Sequence, residues 1–353
     1  MREELRVRLV ELGADDDDIQ RAEEQGWLPL LALDRMLMPG RRTFDLAALA
    51  AAAGLDEELA RRLWRAVGFP DVPPGVAVFT DRDVDAARLA LAQAPERDIE
   101  QGTLLQQVRV ISGSLARVAS VEADGLADEL SELHKMYASD DEIALAVLSD
   151  TRLADIGVLI DYLHRLQLRA AIWRRMVLAA RPDIAIAVGF ADLSGYTKLS
   201  ATLDGTSLSE LVGRWEAVAY DTIAATGARV VKTIGDEVMY VGLTPESVTA
   251  SLALRDAAVA ESLPPLRIGL AAGPVVARGG DYFGPVVNLA SRLTELAEPG
   301  EVLVPAALRD ELSPGPEMGS RVGPEMNVRC VPRGTHHLRS IGAVEVFALE
   351  RSG

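Results

Sequence analysis

The second half of the chain alternates short apolar runs with longer helical segments, and this order restricts the fold more than any other feature. Four runs have the length and the Val and Ile content of strands: 183–191, 228–234, 237–243 and 266–273. Two segments with helical periodicity, 207–227 and 244–262, lie between them. The β-α-β-β-α-β order predicts a ferredoxin-like α+β domain. Strands joined by helices in this way also favour helices packed on one face of the sheet.

The first half of the chain has the pattern of an all-α domain. Apolar residues recur near every 3.6 positions between residues 44 and 69, with a break at Gly54, and Thr80 has the character of an N-cap. Further helices are expected over about 100–119 and 122–149. One long helix then runs up to Pro182, since the residue before a proline disfavours helix. We therefore expect an all-helical domain over 1–154, a linker helix over 155–182 and the α+β domain over 183–353.

Length and charge exclude several classes of protein. The 353 residues suffice for two domains, and the formal net charge of −17 argues against a nucleic-acid partner. The apolar stretches fall well short of the ~20 residues that span a bilayer, and the N-terminus lacks the pattern of a signal peptide. The single cysteine, Cys330, suits a reducing compartment. These features predict a cytoplasmic protein with no membrane span.

A carboxylate at the inner end of the first apolar run needs a partner. Asp192 follows this run directly, and desolvating an unpaired charge there is costly. Either a buried cation elsewhere in the chain or a bound metal ion resolves this conflict. Asp236 lies at the tip of a two-residue hairpin, and we expect the hairpin strand that carries "KTIGD" to lie beside the first strand. Two adjacent carboxylates favour Mg²⁺ or Mn²⁺.

Two neighbouring features suit a phosphate-bearing ligand. The turn Ser194, Gly195, Tyr196 and Thr197 leads toward a helix, which makes its backbone N–H groups available for phosphate oxygens. A further helix starts after Gly284, and it places Asn288 and Arg292 one turn apart on the same face. An amide and a guanidinium in this arrangement can orient a ribose and stabilise an anionic transition state.

Taken together, these stretches resemble the class III nucleotidyl cyclases, the family of adenylate and guanylate cyclases. The resemblance is carried, in the family's order, by "FADLSGYT", "VKTIGDEVMYV" and "DYFGPVVNLASR". The later "HHLRSIGAVEVFAL" also resembles the closing hairpin of the family. The match covers about residues 183–350. It implies a catalytic domain that acts as a head-to-tail homodimer, in which both subunits contribute to each site.

The resemblance also implies a role for each matching residue. Asp192 and Asp236, together with Leu193, would hold two divalent metal ions, Mg²⁺ or Mn²⁺. Asn288 and Arg292 would occupy the transition-state positions, and Arg339 would touch the terminal phosphates. Lys232 and Asp281 would read the purine base. The turn 194–197 would bind the nucleotide phosphates.

The polarity of the purine-reading pair favours adenine. Lys232 only donates hydrogen bonds and ionised Asp281 only accepts them, which matches the N1 acceptor and the 6-amino donor of adenine. Guanine has the opposite polarity along this edge. We therefore predict an adenylate cyclase that converts ATP to 3′,5′-cyclic AMP and pyrophosphate. The alternative is a guanylate cyclase.

Two further interpretations stay open. Residues 44–92 have the rhythm of a helix-turn-helix, which would suit a DNA-binding regulator whose cyclase-like domain senses a nucleotide. "IGDEVMY" faintly resembles the signature of cyclic-dinucleotide synthases on a similar fold. Because helical segments precede the catalytic domain in relatives, we expect the N-terminal domain to regulate activity. The sequence does not identify the signal, for which pH, a lipid, a small ligand and a partner protein are all candidates.

Overall fold

The computed structural model describes residues 2–93, 103–150, 152–180, 185–312 and 327–352. Its contacts divide the chain into two compact units, residues 1–170 and 171–353. The boundaries that we predicted at residues 154 and 182 differ from this division and stay predictions. None of the described helices combines the length and apolar character needed to cross a membrane.

The described secondary structure of the first unit consists of helices, apart from an isolated antiparallel β-bridge between Phe44 and Phe79. Its helices are α1 (Arg2–Glu11), α2 (Asp16–Gln25), α3 (Leu28–Leu37), α4 (Leu46–Ala53), α5 (Glu57–Val67), α6 (Asp81–Gln93), α7 (Thr103–Met136) and α8 (Asp140–Leu148). The long helix α9 (Arg152–Ala180) follows. Gly54 ends α4 in the left-handed conformation, with φ 73°, as the break in periodicity predicted.

The predicted division of residues 100–149 into two helices was wrong in its boundary. Helix α7 continues without interruption to Met136, and the break lies at 137–139. There the side chain of Ser139 accepts a hydrogen bond from the backbone N–H of Glu142, which caps α8. Residues 119–122 contain neither glycine nor proline, so nothing in the local sequence ends the helix at that point.

One buried ion pair fixes the packing of the first helices. Arg35 on α3 is only 1% exposed, and it donates a 2.5 Å hydrogen bond to the carboxylate of Asp18. Asp18 also belongs to the capping box that starts α2 at Asp15. Asp18, which belongs to the acidic run 15–18, therefore has a structural role.

The second unit contains a seven-stranded sheet in the order β2-β3-β1-β4-β7-β9-β8. Its strands are β1 (Ile186–Leu193), β2 (Arg229–Ile234), β3 (Glu237–Leu243), β4 (Leu266–Gly273), β7 (Val302–Pro305), β8 (Val328–Leu338) and β9 (Gly342–Arg351). The two short strands β5 (Val276–Arg278) and β6 (Asp281–Phe283) pair with each other as a second sheet. The helices are α10 (Tyr196–Ser200), α11 (Gly205–Ala225), α12 (Thr244–Ala260), α13 (Pro285–Leu296) and α14 (Ala306–Leu312).

The predicted ferredoxin-like core is confirmed. Strands β1 to β4, with α11 after β1 and α12 after β3, form the β-α-β-β-α-β unit, and their pairings are antiparallel. Strand β7 extends this core parallel to β4, and the hairpin of β8 and β9 completes the sheet. This hairpin is the one that the C-terminal resemblance predicted.

One predicted pairing was wrong. The strand beside β1 is β3, the second strand of the hairpin, whereas β2 with its "KTIGD" segment lies at the sheet edge. In the β1–β3 register, Asp192 faces Glu237. Because Asp236 directly precedes Glu237, the hairpin tip still lies next to the end of β1.

Helices cover both faces of the sheet, whereas the sequence pattern predicted helices on one face only. On one face, Trp215 of α11 and Leu252 of α12 pack with Ala191 of β1. On the other face, α13 lies across β1 and β4, and a Cβ at Gly269 would come within 2.3 Å of the carbonyl oxygen of Ala290. The close approach at Gly269 therefore lets α13, which carries Asn288 and Arg292, pack directly on the sheet.

Candidate active site

The structure brings Asp192 and Asp236 together at one end of the sheet. Asp192 lies near the end of β1, and Asp236 follows Gly235, whose φ of 63° forms the hairpin turn. Burial, followed by the hydrogen bond and the charge of Asp236, raises the pKa of Asp192 to about 7. The two carboxylates repel each other when both are ionised, and a bound cation would reduce this repulsion.

Two charged residues that the sequence reasoning missed flank Asp192. Across the sheet, Asp192 is in register with Glu237 on β3 and with Arg267 on β4. The charge of Arg267 opposes the rise in the pKa of Asp192, and its Nε is buried without a hydrogen-bond partner. Burial and the charge of Asp236 raise the pKa of the Glu237 carboxyl. Only the strand register could have revealed this row of charges.

The donor atoms at this corner suit a hard divalent cation. Carboxylate oxygens are the ligands that Mg²⁺ and Mn²⁺ prefer. Among the residues that the structure describes, no three His, Cys, Asp or Glu side chains come together as a metal site. The remaining ligands would therefore have to be backbone, substrate or water oxygens. Leu193 can offer only its backbone carbonyl, because its side chain is apolar and 1% exposed.

The turn 194–197 differs in one respect from our expectation. The backbone N–H of Ser194 donates to the carbonyl oxygen of Pro265 at 2.9 Å, so it is not available for a phosphate. This hydrogen bond joins the end of β1 to the residue before β4. Gly195, with φ 78°, starts the short helix α10 at Tyr196. The Ser194 hydroxyl is buried without a hydrogen-bond partner.

The structure also brings Lys232 and Asp281 together. Lys232 lies on β2, Asp281 begins β6, and the Lys232 ammonium donates to Oδ2 of Asp281. The other oxygen, Oδ1, accepts the backbone N–H of Tyr282 at 2.8 Å. The Lys232 side chain is 39% exposed and that of Asp281 is 26% exposed, so a ligand can reach the pair. The pair offers one cationic donor and one anionic acceptor side by side.

Asn288 and Arg292 lie one turn apart on α13. Asn288 is exposed, whereas the guanidinium of Arg292 donates to the carboxylate of Glu295 at 2.5 Å. The spacing of three residues could have revealed Glu295 as a partner on the same helix. Arg339 is exposed in the turn between β8 and β9. In the described part of the chain, no hydrogen bond or ion pair joins Arg339 to the other candidate residues.

Two family models match the chain. Residues 178–351 match the "Adenylate and Guanylate cyclase catalytic domain", and residues 1–172 match the "Adenylate cyclase regulatory domain". An adenylate cyclase of Streptomyces coelicolor is 34% identical over 306 residues, which cover 84% of this chain and 79% of that protein. An adenylate cyclase of Glutamicibacter nicotianae is 33% identical over 302 residues, which cover 80% and 74%.

Among solved structures, the chain is similar to the adenylyl cyclase CyaB of P. aeruginosa. It is 22% identical, covers 48% of this chain and 95% of its own, and gives a TM-score of 0.38. The family assignment rests on the two models and on the relatives above. The chain belongs to the adenylate and guanylate cyclase family, which confirms the predicted class of enzyme.

Proposed function

We propose that the chain is an adenylate cyclase, which converts ATP to 3′,5′-cyclic AMP and pyrophosphate. The observation that carries the proposal is the ion pair of Lys232 and Asp281. A donor-only group beside an acceptor-only group complements N1 and the 6-amino group of adenine. Guanine has the opposite polarity along this edge and does not complement the pair, and such a mismatch at a polar site discriminates between substrates. The names of the relatives support the same substrate.

The aspartate corner would hold the catalytic metal ions. Asp192, Asp236 and the carbonyl of Leu193 are the groups of this chain that would bind them, as Mg²⁺ or Mn²⁺. When bound, such ions neutralise the triphosphate and lower the pKa of the attacking hydroxyl. The raised pKa of Asp192 supports this assignment, because burial and the neighbouring Asp236 both disfavour its ionised form, which a bound cation would stabilise.

The bond changes of the reaction assign roles to the remaining residues. The ribose 3′ oxygen forms a bond to the α-phosphorus, loses its proton, and the bond from that phosphorus to pyrophosphate breaks. Arg292 stabilises the negative charge on the α-phosphate and Asn288 orients the ribose. Backbone N–H groups at Gly195, Tyr196 and Thr197 contact the phosphates. Ser194 takes no part in this contact, because its N–H is occupied and its hydroxyl is buried. Arg339 contacts the terminal phosphates.

We infer that the complete site needs two copies of the chain. This arrangement is the one that membership of the adenylate and guanylate cyclase family implies, with residues of both subunits in each site. Arg292 is directed to Glu295 in the isolated chain. A head-to-tail homodimer would bring the aspartate corner of one copy to the purine-reading pair and α13 of the other.

The N-terminal helices would set the rate of this reaction. The match of residues 1–172 to a regulatory domain supports this role. Small displacements of the two halves of a composite site are enough to disrupt catalysis. The cyclase rates of the full chain and of a fragment that begins at Ala171 should therefore differ. Equal rates across pH and lipid conditions would argue against regulation.

The substrate assignment is tested with the purified full chain. Incubation with ATP and Mn²⁺ or Mg²⁺ should yield cyclic AMP and an equal amount of pyrophosphate. GTP should give little cyclic GMP, and a chelator should stop the reaction. Turnover of GTP at a rate comparable to ATP would instead support the guanylate cyclase alternative.

A further inference from the structure

The hairpin that carries Asp281 is attached to the main sheet through side chains. Strands β5 and β6 pair only with each other in the described part of the chain, around the turn Gly279–Gly280. The backbone also holds the base of the hairpin, because β5 follows β4 after two residues and β6 leads into α13 after Gly284. The side chains that connect β6 with the main sheet add to this anchoring and fix the distance between Asp281 and Lys232 on β2. The Lys232–Asp281 ion pair is one such connection.

A second connection lies directly beside the first. Nη2 of Arg229 donates to the hydroxyl of Tyr282 at 2.9 Å, and the Arg229 guanidinium carbon lies 5.5 Å from the centroid of the Tyr282 ring. Arg229 and Lys232 are both on β2, and Tyr282 directly follows Asp281. Arg229 and Tyr282 are both half-buried, and Nε of Arg229 is buried without a hydrogen-bond partner. The contact combines a charged hydrogen bond with a cation–π interaction.

Tyr282 also fixes the orientation of the Asp281 carboxylate. Its backbone N–H holds Oδ1 of Asp281 at 2.8 Å, which leaves Oδ2 for Lys232. In addition, the Tyr282 ring packs against the apolar cluster around Val188 and Phe190 of β1. Tyr282 thus has three contacts that fix its position: with Arg229, with the Asp281 carboxylate and with the apolar residues of the sheet.

We propose that Arg229 and Tyr282 are positioning residues that set the spacing of Lys232 and Asp281 for the purine base. The inference rests on the proposed function of that pair. In the nucleotide-free chain Lys232 and Asp281 bond to each other, so a base that bonds to both must replace this contact. Once the ion pair opens, the Arg229–Tyr282 contact keeps β6 at a fixed distance from β2. Discrimination between adenine and guanine depends on that distance.

The test compares Tyr282→Phe with the wild-type full chain. This change removes the hydroxyl that Arg229 bonds but keeps the ring, and Tyr220→Phe, at an exposed tyrosine of α11, is the matched control. The ratio of kcat/KM for ATP to kcat/KM for GTP should fall about tenfold in Tyr282→Phe, mainly through a higher KM for ATP. It should not change in Tyr220→Phe.

A second variant separates positioning from a general loss of stability. Arg229→Gln should lower the same ratio, and the double variant should be no worse than the more affected single variant, because both changes break one contact. Additive losses in the double variant, or a ratio in Tyr282→Phe equal to the wild type, would overturn the inference. If the wild-type chain makes no cyclic AMP, the proposed function fails instead. The dissociation constants of ATP and GTP in the presence of Mn²⁺ then provide the same ratio.

Discussion

The catalytic unit contains two acidic corners that differ in how their charge is balanced. At one corner, Asp192 and Asp236 touch each other, and burial with the second carboxylate raises the pKa of Asp192 to about 7. At the other, Asp281 has an ammonium partner in Lys232 and a backbone N–H donor from Tyr282. The negative charge of the first corner is balanced only when a cation binds. The carboxylate of the second corner already has its partners within the chain.

This difference indicates how each corner would contribute to binding. A cation that enters the aspartate corner removes a repulsion, so its binding is favoured by the charge arrangement of the fold. A purine that enters the other corner must replace an existing ion pair, and it gains only the difference between two sets of hydrogen bonds. On the proposed function, the first corner would therefore govern whether the reaction proceeds, and the second would govern which nucleotide is selected.

The largest effect should follow from removing charge at the aspartate corner. Asp192→Asn and Asp236→Asn each remove a carboxylate that we propose as a metal ligand, so the rate of cyclic AMP formation should fall about a thousandfold or more. Asp221→Asn, at an exposed position on α11, is the control and should leave the rate unchanged. Product is quantified over a range of Mn²⁺ concentrations. Near-full activity in either of the first two variants would show that this corner holds no catalytic metal.

The next largest effect concerns a site that combines the aspartate corner of one subunit with residues of the other. Asp192→Ala and Arg292→Ala should each be inactive as pure proteins. Mixed in equal amounts and allowed to exchange subunits, they should recover about a quarter of the wild-type rate, because half of the dimers then carry one intact site out of two. Light scattering and subunit-exchange fluorescence confirm mixing. A mixture that exchanges but stays inactive would contradict a site shared between subunits.

A smaller effect is expected at the purine-reading corner. Lys232→Gln breaks the ion pair with Asp281 and removes the cationic donor, so kcat/KM for ATP should fall about tenfold to a hundredfold. The rate with GTP should change little, and the Mn²⁺ dependence should remain that of the wild type. The control is Lys135→Gln, since Lys135 is exposed and pairs only with Glu132 on its own helix. An equal loss with both nucleotides would mean that Lys232 does not read the base.

The contrast between the corners also explains what the sequence could predict. The aspartates, the purine-reading pair and the α13 pair lie in motifs with a fixed order, and the strand pattern predicts the ferredoxin-like core. Pattern alone does not give the strand register, so Glu237 and Arg267 beside Asp192 were missed. Likewise, the packing of α13 on the second face depends on the close contact at Gly269, which only the tertiary structure shows.

The smallest predicted effect concerns stability without metal. Asp192 titrates near pH 7 in the folded chain and near pH 4 when unfolded, so between these values the folded state binds more protons. Stability of the metal-free wild type should therefore fall as the pH rises from about 4 to 7. Asp192→Asn removes this loss, and it should be more stable at pH 8 by about 1 to 2 kcal/mol after allowance for solvent screening.

Calorimetry in a chelator measures this difference as a higher unfolding midpoint, by about 2 to 8 °C for a unit of this size. The gain should disappear at pH 4, where the wild-type carboxyl is protonated in the folded state. Excess Mn²⁺ should reverse the order, because it stabilises only the form with both ligands. Parallel stability curves for the wild type and Asp192→Asn from pH 4 to 8 would show that ionised Asp192 does not destabilise the fold. The two corners would then differ in the partners of their carboxylates, but not in their effect on the free energy of unfolding.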